Sequence, residues 1–179
     1  KFYKRSEHLT TDDATNADFT LDFMENVECD SVVQILATSP FITPSEIREF
    51  TNNFLSEGYD TLISVNENKI ECVYNSRAIN FDQKKQSPPS QLLTPINAYA
   101  CGLMAWSTEN YKHNMSKYAC GYHGGDGHIG FHTLSGYSNI DIDNEEDFQL
   151  AEVVARHLET KEQFDVRYYE NTTERVEVD

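Results

Sequence analysis

The sequence predicts an α/β fold with a mostly parallel sheet, on three observations. Two short, β-branched, nearly continuous apolar runs, SVVQIL at 31–36 and TLISV at 61–65, have the composition of strands buried on both faces. A strongly marked helix lies between them. The loops joining the three are short, and a strand–helix–strand order with short loops is a βαβ unit, whose strands run parallel.

The elements follow in order. Residues 15–27 read as a helix, with Phe19, Phe23, Met24 and Val27 toward one face. The run 31–36 ends in Ala37-Thr38-Ser39-Pro40, a loop at a strand's C-terminal end. In the next helix Thr43 is the N-cap, Pro44 takes the first helical position and Glu46 completes a capping box. Ile47, Phe50 and Phe54 form its apolar stripe, and Gly58 ends it. Residues 69–75 and 77–81 are expected as two shorter strands around Asn75-Ser76. Residues 83–95, QKKQSPPSQLLTP, hold most of the prolines and a small basic patch, and read as a surface loop. AYACGLMAW at 98–106 is a third long apolar strand, and 107–136 reads as irregular with a Gly- and His-rich middle. SNIDID at 138–143 reads as a strand, and 145–158 as a helix with Phe148, Ala151, Val154 and Leu158 inward. One α/β domain over 1–158 and a charged tail over 159–179 are expected.

Composition narrows the function. The chain has 179 residues, 39% hydrophobic and 25% charged, as in a globular domain. No run approaches the ~20 apolar residues of a membrane span. Asp and Glu number 30 against 14 Lys and Arg, a formal charge of −16. That field disfavours nucleic acid and anionic membranes as partners. A phosphate ligand would need a metal or a local basic cluster to offset it. Cys29, Cys72, Cys101 and Cys120 form no CxxC pair and read as reduced thiols of a cytoplasmic protein.

The acidic run SNIDIDNEEDF is the first candidate for chemistry. On a strand, Asp141 and Asp143 face one way, ~6–7 Å apart at their Cα atoms. Their oxygens can converge on Mg²⁺ or Mn²⁺. The same spacing also fits a solvated edge strand. Glu145, Glu146 and Asp147 have a structural explanation: Asn144 is an N-cap, and acids in a first helical turn gain ~0.3–1 kcal/mol each from the macrodipole. A second cluster, Cys120, His123, Asp126, His128 and His132, offers metal-ligand types among glycines but matches no fixed zinc spacing. It reads as a surface or dimer-contact loop.

In combination, the motifs resemble the acylneuraminate cytidylyltransferases, the CMP-sialic acid synthetase family. YSNIDIDNEEDFQLAE is similar to that family's C-terminal signature, LATSPFIT to its turn after the central strand, and YDTLISV to the following helix-to-strand step. NSRAINFD, PPSQLLTPI and the opening KRSEHLTTDDATNADF resemble further family segments, in the family's order, from about Lys4 to Leu158. The resemblance implies a Rossmann-like three-layer sandwich of the nucleotide-diphospho-sugar transferase type, cytoplasmic and homodimeric. It implies transfer of CMP from CTP to a 2-keto nonulosonic acid with release of pyrophosphate. Asp141 and Asp143 would be the catalytic metal ligands, holding Mg²⁺ (or Mn²⁺). Gln91 would contact substrate, Asp12 would lie near the nucleotide end, and Thr38 and Ser39 would lie beside the pocket.

The departures from the family shape the alternatives. The family's phosphate-gripping loop follows its first strand, and this chain begins past that point. Leu36, Ile42, Pro89 and Cys101 stand where the family has Gln, Arg, Arg and Asn. An N-terminally truncated domain is therefore expected, with SVVQIL on an open sheet edge or covered by a partner. A catalytically degenerate binding or regulatory homologue is one alternative. The other is a glycosyltransferase using Asp141-Ile142-Asp143 as a DxD motif toward a nucleotide sugar.

Overall fold

The computed structural model describes residues 3–11 and 13–159. Asp12 and the expected tail beyond Glu159 lie outside the described residues. The regular elements are α1 (Asn16–Asn26), β1 (Ser31–Ile35), α2 (Pro44–Ser56), β2 (Thr61–Asn68), β3 (Val73–Tyr74), β4 (Arg77–Ala78), β5 (Ile96–Ser107), α3 (Thr108–Tyr118), β6 (Ile129–Leu134) and α4 (Glu145–Glu159).

The main sheet has the order β1-β5-β2-β6. β5 pairs antiparallel with both β1 and β2, and β2 pairs parallel with β6. β1, β2 and β6 therefore run the same way and β5 opposes them. The sheet is mostly parallel by direction, but β5 separates the two strands of the predicted βαβ unit.

Alternation along the strands sorts side chains to two faces. On one face Leu62, Leu103, Ala105 and Leu134 pack against Phe50 and Phe54 of α2. On the other, Ile63, Met104 and Trp106 pack against Met24 of α1 and Tyr111 of α3. Helix, sheet and helix make the expected three-layer sandwich. Among the described residues no helix is long and apolar enough to cross a membrane.

The helix entrances follow local chemistry. Thr43 and Glu46 form the predicted capping box with Pro44 in the first turn, and Thr15 and Asp18 form a second one on α1. Asn75 and Ser76, at φ 47° and 62°, close the β3–β4 hairpin with the positive angles of a type I′ turn.

Four expectations need correction. β1 is half-buried, and Ile35 is 48% exposed, because the strand lies at an edge of the described sheet. Residues 107–136 are not irregular, since α3 and β6 occupy most of them. The Ser107 hydroxyl caps α3 by accepting the Asn110 N–H at 3.3 Å. SNIDID is not a strand. The chain leaves β6 at Leu134, turns through a 3-10 turn at Gly136–Asn139, and forms no ladder over 140–143. Phe148 is half exposed rather than inward, since 100° per residue sets it about 120° around the helix from buried Val154.

Near the C-terminal end of β1 the sheet is deliberately irregular. The β2–β5 register shifts between Ile63 and Val65, and Cys101 takes φ 56°. The buried Ser64 hydroxyl accepts the Leu103 N–H at 3.0 Å there, so the bulge leaves no orphan donor. Next to it, Gly102 allows close approach of the loop after β1: a Cβ would lie 2.6 Å from Ile42 Cδ1 and 2.9 Å from Ser39 Oγ.

Candidate active site

β1, β2 and β6 end at the same side of the sheet. The crevice beyond the carboxyl ends of such strands is where open α/β sheets bind ligands. β1 delivers the loop Leu36–Ile42 to this side. After β6 the chain turns back, and the Ile142 N–H donates to the Thr38 carbonyl at 2.9 Å. The two segments singled out from sequence, the loop with Thr38 and Ser39 and the acidic run, are thus brought together.

Their residues differ in what they can do. Thr38 is exposed. Ser39 is buried against Gly102, with its N–H donating to the Leu36 carbonyl at 3.2 Å, so it forms the floor of the loop. Asp141 is half-buried, and its Oδ1 is shielded from solvent with no hydrogen-bond partner. Asp143 is exposed. Its backbone N–H is held by the Asp147 carboxylate at 3.1 Å, which also accepts the Asn144 N–H at 3.2 Å. The Asn144 side chain accepts the Glu146 and Asp147 N–H groups at 2.9 and 3.1 Å, so the expected cap of α4 is formed.

The argument that one strand face aligns Asp141 with Asp143 therefore fails, because the segment is not a strand. What remains is a different signal. A buried carboxylate oxygen without a donor is costly, and a cation would satisfy it. Among the described residues no group of three or more His, Cys, Asp and Glu side chains could hold a metal. Mg²⁺ commonly takes only one or two carboxylates, with waters and phosphate oxygens completing its shell. Asp141 fits as an anchor of that kind, with Asp143 as an exposed second carboxylate.

Gln91 sits exposed in a 3-10 turn, Ser90–Leu92, on the arm between β2 and β5. A cavity of about 220 Å³ in this arm is lined by Asn80, Asp82, Lys85 and Leu93, among others, but not by Gln91. The Gly- and His-rich cluster disperses. His128 lies against Tyr59, His123 against Tyr99 and Tyr122, and His132 against Phe50. Asp126 pairs with Lys117 and Tyr118, and these donors hold its carboxyl down at about 2. Asn114, which opens an apparent glycosylation sequon, is fully buried and holds the Gly124 carbonyl and the Asp126 N–H.

Two residues at the site escaped the sequence reading. Glu46 was assigned only to its cap, and Ser138 to a strand. The Ser138 hydroxyl donates to Glu46 Oε1 at 2.5 Å, while Oε2 accepts both the N–H and the hydroxyl of Thr43 at 2.8 Å. Burial works to raise the Glu46 carboxyl, but the hydrogen bonds from Ser138 and Thr43, with His132 nearby, hold it below the ordinary value. Burial depresses His132 in turn, against the pull of Glu49 and Glu46. The spacing of a capping box cannot show a third partner arriving from ninety residues downstream.

The layers and strand directions are those of a nucleotide-diphospho-sugar transferase-like fold. Solved structures share it. The 4-diphosphocytidyl-2C-methyl-D-erythritol synthase of Anaerococcus prevotii is similar at TM-score 0.55 and 14% identity, over 80% of this chain and 67% of that one. A Bacillus anthracis protein described as a glucose-1-phosphate thymidylyltransferase, solved with sucrose, is similar at TM-score 0.53 and 14% identity, over 87% of this chain and 63% of that one. The likeness at this identity is one of fold, and the chain spans about two thirds of each structure's length. No protein-family model matches the chain, and no curated protein matches it.

Proposed function

We propose that the chain is the core of a nucleotidyltransferase that moves CMP from CTP to a 2-keto nonulosonic acid. The observation that carries this reading is the placement of Asp141. This residue carries a shielded oxygen without a partner, and the next residue, Ile142, ties its segment to the Thr38 loop at the carboxyl end of β1. The order of motifs resembling the acylneuraminate cytidylyltransferases supplies the substrate class, and the fold shared with nucleotide-handling neighbours supports it.

In the proposed reaction the anomeric hydroxyl oxygen forms a bond to the α-phosphorus of CTP. The bond from that phosphorus to the bridging oxygen breaks, pyrophosphate leaves, and the hydroxyl proton passes to water. Asp141, with Asp143, would hold Mg²⁺. When bound, the ion neutralises charge on the triphosphate. That matters for a chain of net charge −16, which by itself repels a nucleoside triphosphate. Buried Ser39 keeps the Thr38 loop packed on β5 at Gly102.

Incubation with CTP, Mg²⁺ and a panel of nonulosonic acids tests the reading. Pyrophosphate release is expected, falling on the order of 100-fold in Asp141→Ala. Mg²⁺-dependent CTP binding without turnover would instead mark a binding homologue. Mn²⁺-dependent binding of a nucleotide sugar in place of CTP would mark a glycosyltransferase. Full activity in Asp141→Ala would overturn the metal assignment.

A further inference from the structure

We propose that Glu46 is a positioning residue: through Ser138 it fixes the Asp141 segment against the loop that follows β1. The inference rests on the proposed role of Asp141.

The geometry is that of a clip. One carboxylate of α2 takes Thr43 with one oxygen and Ser138 with the other. Thr43 caps α2 after the loop that begins at Leu36, and Ser138 lies in the turn Gly136–Asn139 that follows β6. Three residues after Ser138 comes Asp141, and the next residue, Ile142, is tied to Thr38. Asp141 is therefore bracketed by two ties, one to the first turn of α2 at Glu46 and one to the preceding loop at Thr38. Ser138 is 7% exposed, and its hydroxyl also lies 3.5 Å from the Phe41 carbonyl, so the Ser138 end of the clip is sheltered from water. A charge-assisted hydrogen bond in such a place is short and strong.

The segment's other ties are local: the Ile140 N–H donates to the Tyr137 carbonyl at 3.0 Å, and the Asp143 N–H to the Asp147 carboxylate at 3.1 Å. Residues 140–143 belong to no ladder. The Asn139 amide donates back to Leu134 at 3.1 Å, which orders the turn but not the acids beyond it. A stretch outside any ladder, tied to the rest of the fold by one main-chain bond, opens easily, and a carboxylate on it would lose its aim. The Glu46–Ser138 bond supplies the second anchor. Residues that orient metal-binding groups in this way commonly change metal affinity 10–100-fold when removed.

Native-state hydrogen exchange, read residue by residue, tests the clip apart from any activity. In Ser138→Ala the Ile142 amide should exchange about ten-fold faster, while Ile63 and Met104 in the sheet keep their protection. Thr43→Ala, which weakens the cap of α2 but leaves the Ser138 bond, should leave Ile142 protected. The Mg²⁺ concentration for half-maximal CTP binding should rise about ten-fold in Ser138→Ala. Unchanged exchange at Ile142, a uniform loss of protection across the sheet, or unaltered Mg²⁺ dependence beside a loosened Ile142 would each overturn the proposal. If the wild type binds no CTP with Mg²⁺ yet Ile142 still loosens, the clip stands and the proposed nucleotidyltransferase fails.

Discussion

Ile142 donates its backbone N–H to the carbonyl of Thr38 at 2.9 Å, joining the loop after β1 to the acidic segment before α4. This single bond brings two separate sequence motifs together in the candidate site. It involves only main-chain atoms, so side-chain substitutions at either position leave it in place. Ile142→Pro removes the donor. The variant should lose about ten-fold in Mg²⁺-dependent CTP affinity by calorimetry while losing only about 1 kcal/mol of stability to urea. Equal affinity in the variant would show that the tie does not shape the site.

Asp141 and Asp143 should behave differently although two residues apart. Asp141 keeps a buried oxygen without a donor, and Asp143 is exposed. Without a divalent ion, Asp141→Ala removes that unsatisfied group and should raise stability by roughly 1 kcal/mol. Asp143→Ala should stay within about 0.5 kcal/mol of the wild type, as surface changes usually do. Urea denaturation in a metal chelator reads both. A destabilised Asp141→Ala would mean that the carboxylate is already satisfied.

How much of this was legible beforehand depends on the kind of signal. Capping chemistry is local, so Thr43, Pro44 and Glu46 announced α2, and Asn144 announced α4. The apolar runs announced β1, β2 and β5, but not that antiparallel β5 would lie between the other two. Strand order is set by partners far along the chain, which local pattern does not carry. The alternation Ile140-Asp141-Ile142-Asp143 has a strand's period, yet Gly136 at φ 61° and the Asn139 side chain close a turn ahead of it. The real strand, β6, was hidden by the histidines and glycines of the preceding loop. For the candidate site, the motifs holding Thr38 and Asp141 were singled out by a resemblance, and the structure joins their segments through the Ile142–Thr38 bond. Ser138 was missed because a lone serine carries no such signal.

Gly102 should tolerate no larger side chain. A methyl group would press on Ile42 Cδ1 and on Ser39, which the sheet and the loop hold from both sides. Gly102→Ala should cost about 1–3 kcal/mol, the usual range for overpacking. The same change should displace the Thr38 loop and weaken CTP binding. A variant as stable as the wild type would show that the loop shifts freely.

Alkaline pH should find a weak point at Tyr111. This side chain is 1% exposed, its hydroxyl donates to the Ala17 carbonyl at 3.1 Å, and its ring meets Trp106 edge-on at 5.4 Å. It therefore joins α3 to α1 over the sheet. Burial pushes its phenol up to about 12. A folded-state value above the unfolded one, about 10, means that the neutral form is favoured in the fold. The contribution is complete below about pH 10 and is lost as pH rises toward 12, on the order of 2 kcal/mol in all. Tyr111→Phe cannot ionise at this position. It should be about 1 kcal/mol less stable near neutral pH, through loss of the Ala17 bond, and the gap should close or reverse above pH ~10. Urea midpoints for both proteins across that range measure the difference, and a constant gap would show that Tyr111 does not ionise on unfolding in this window.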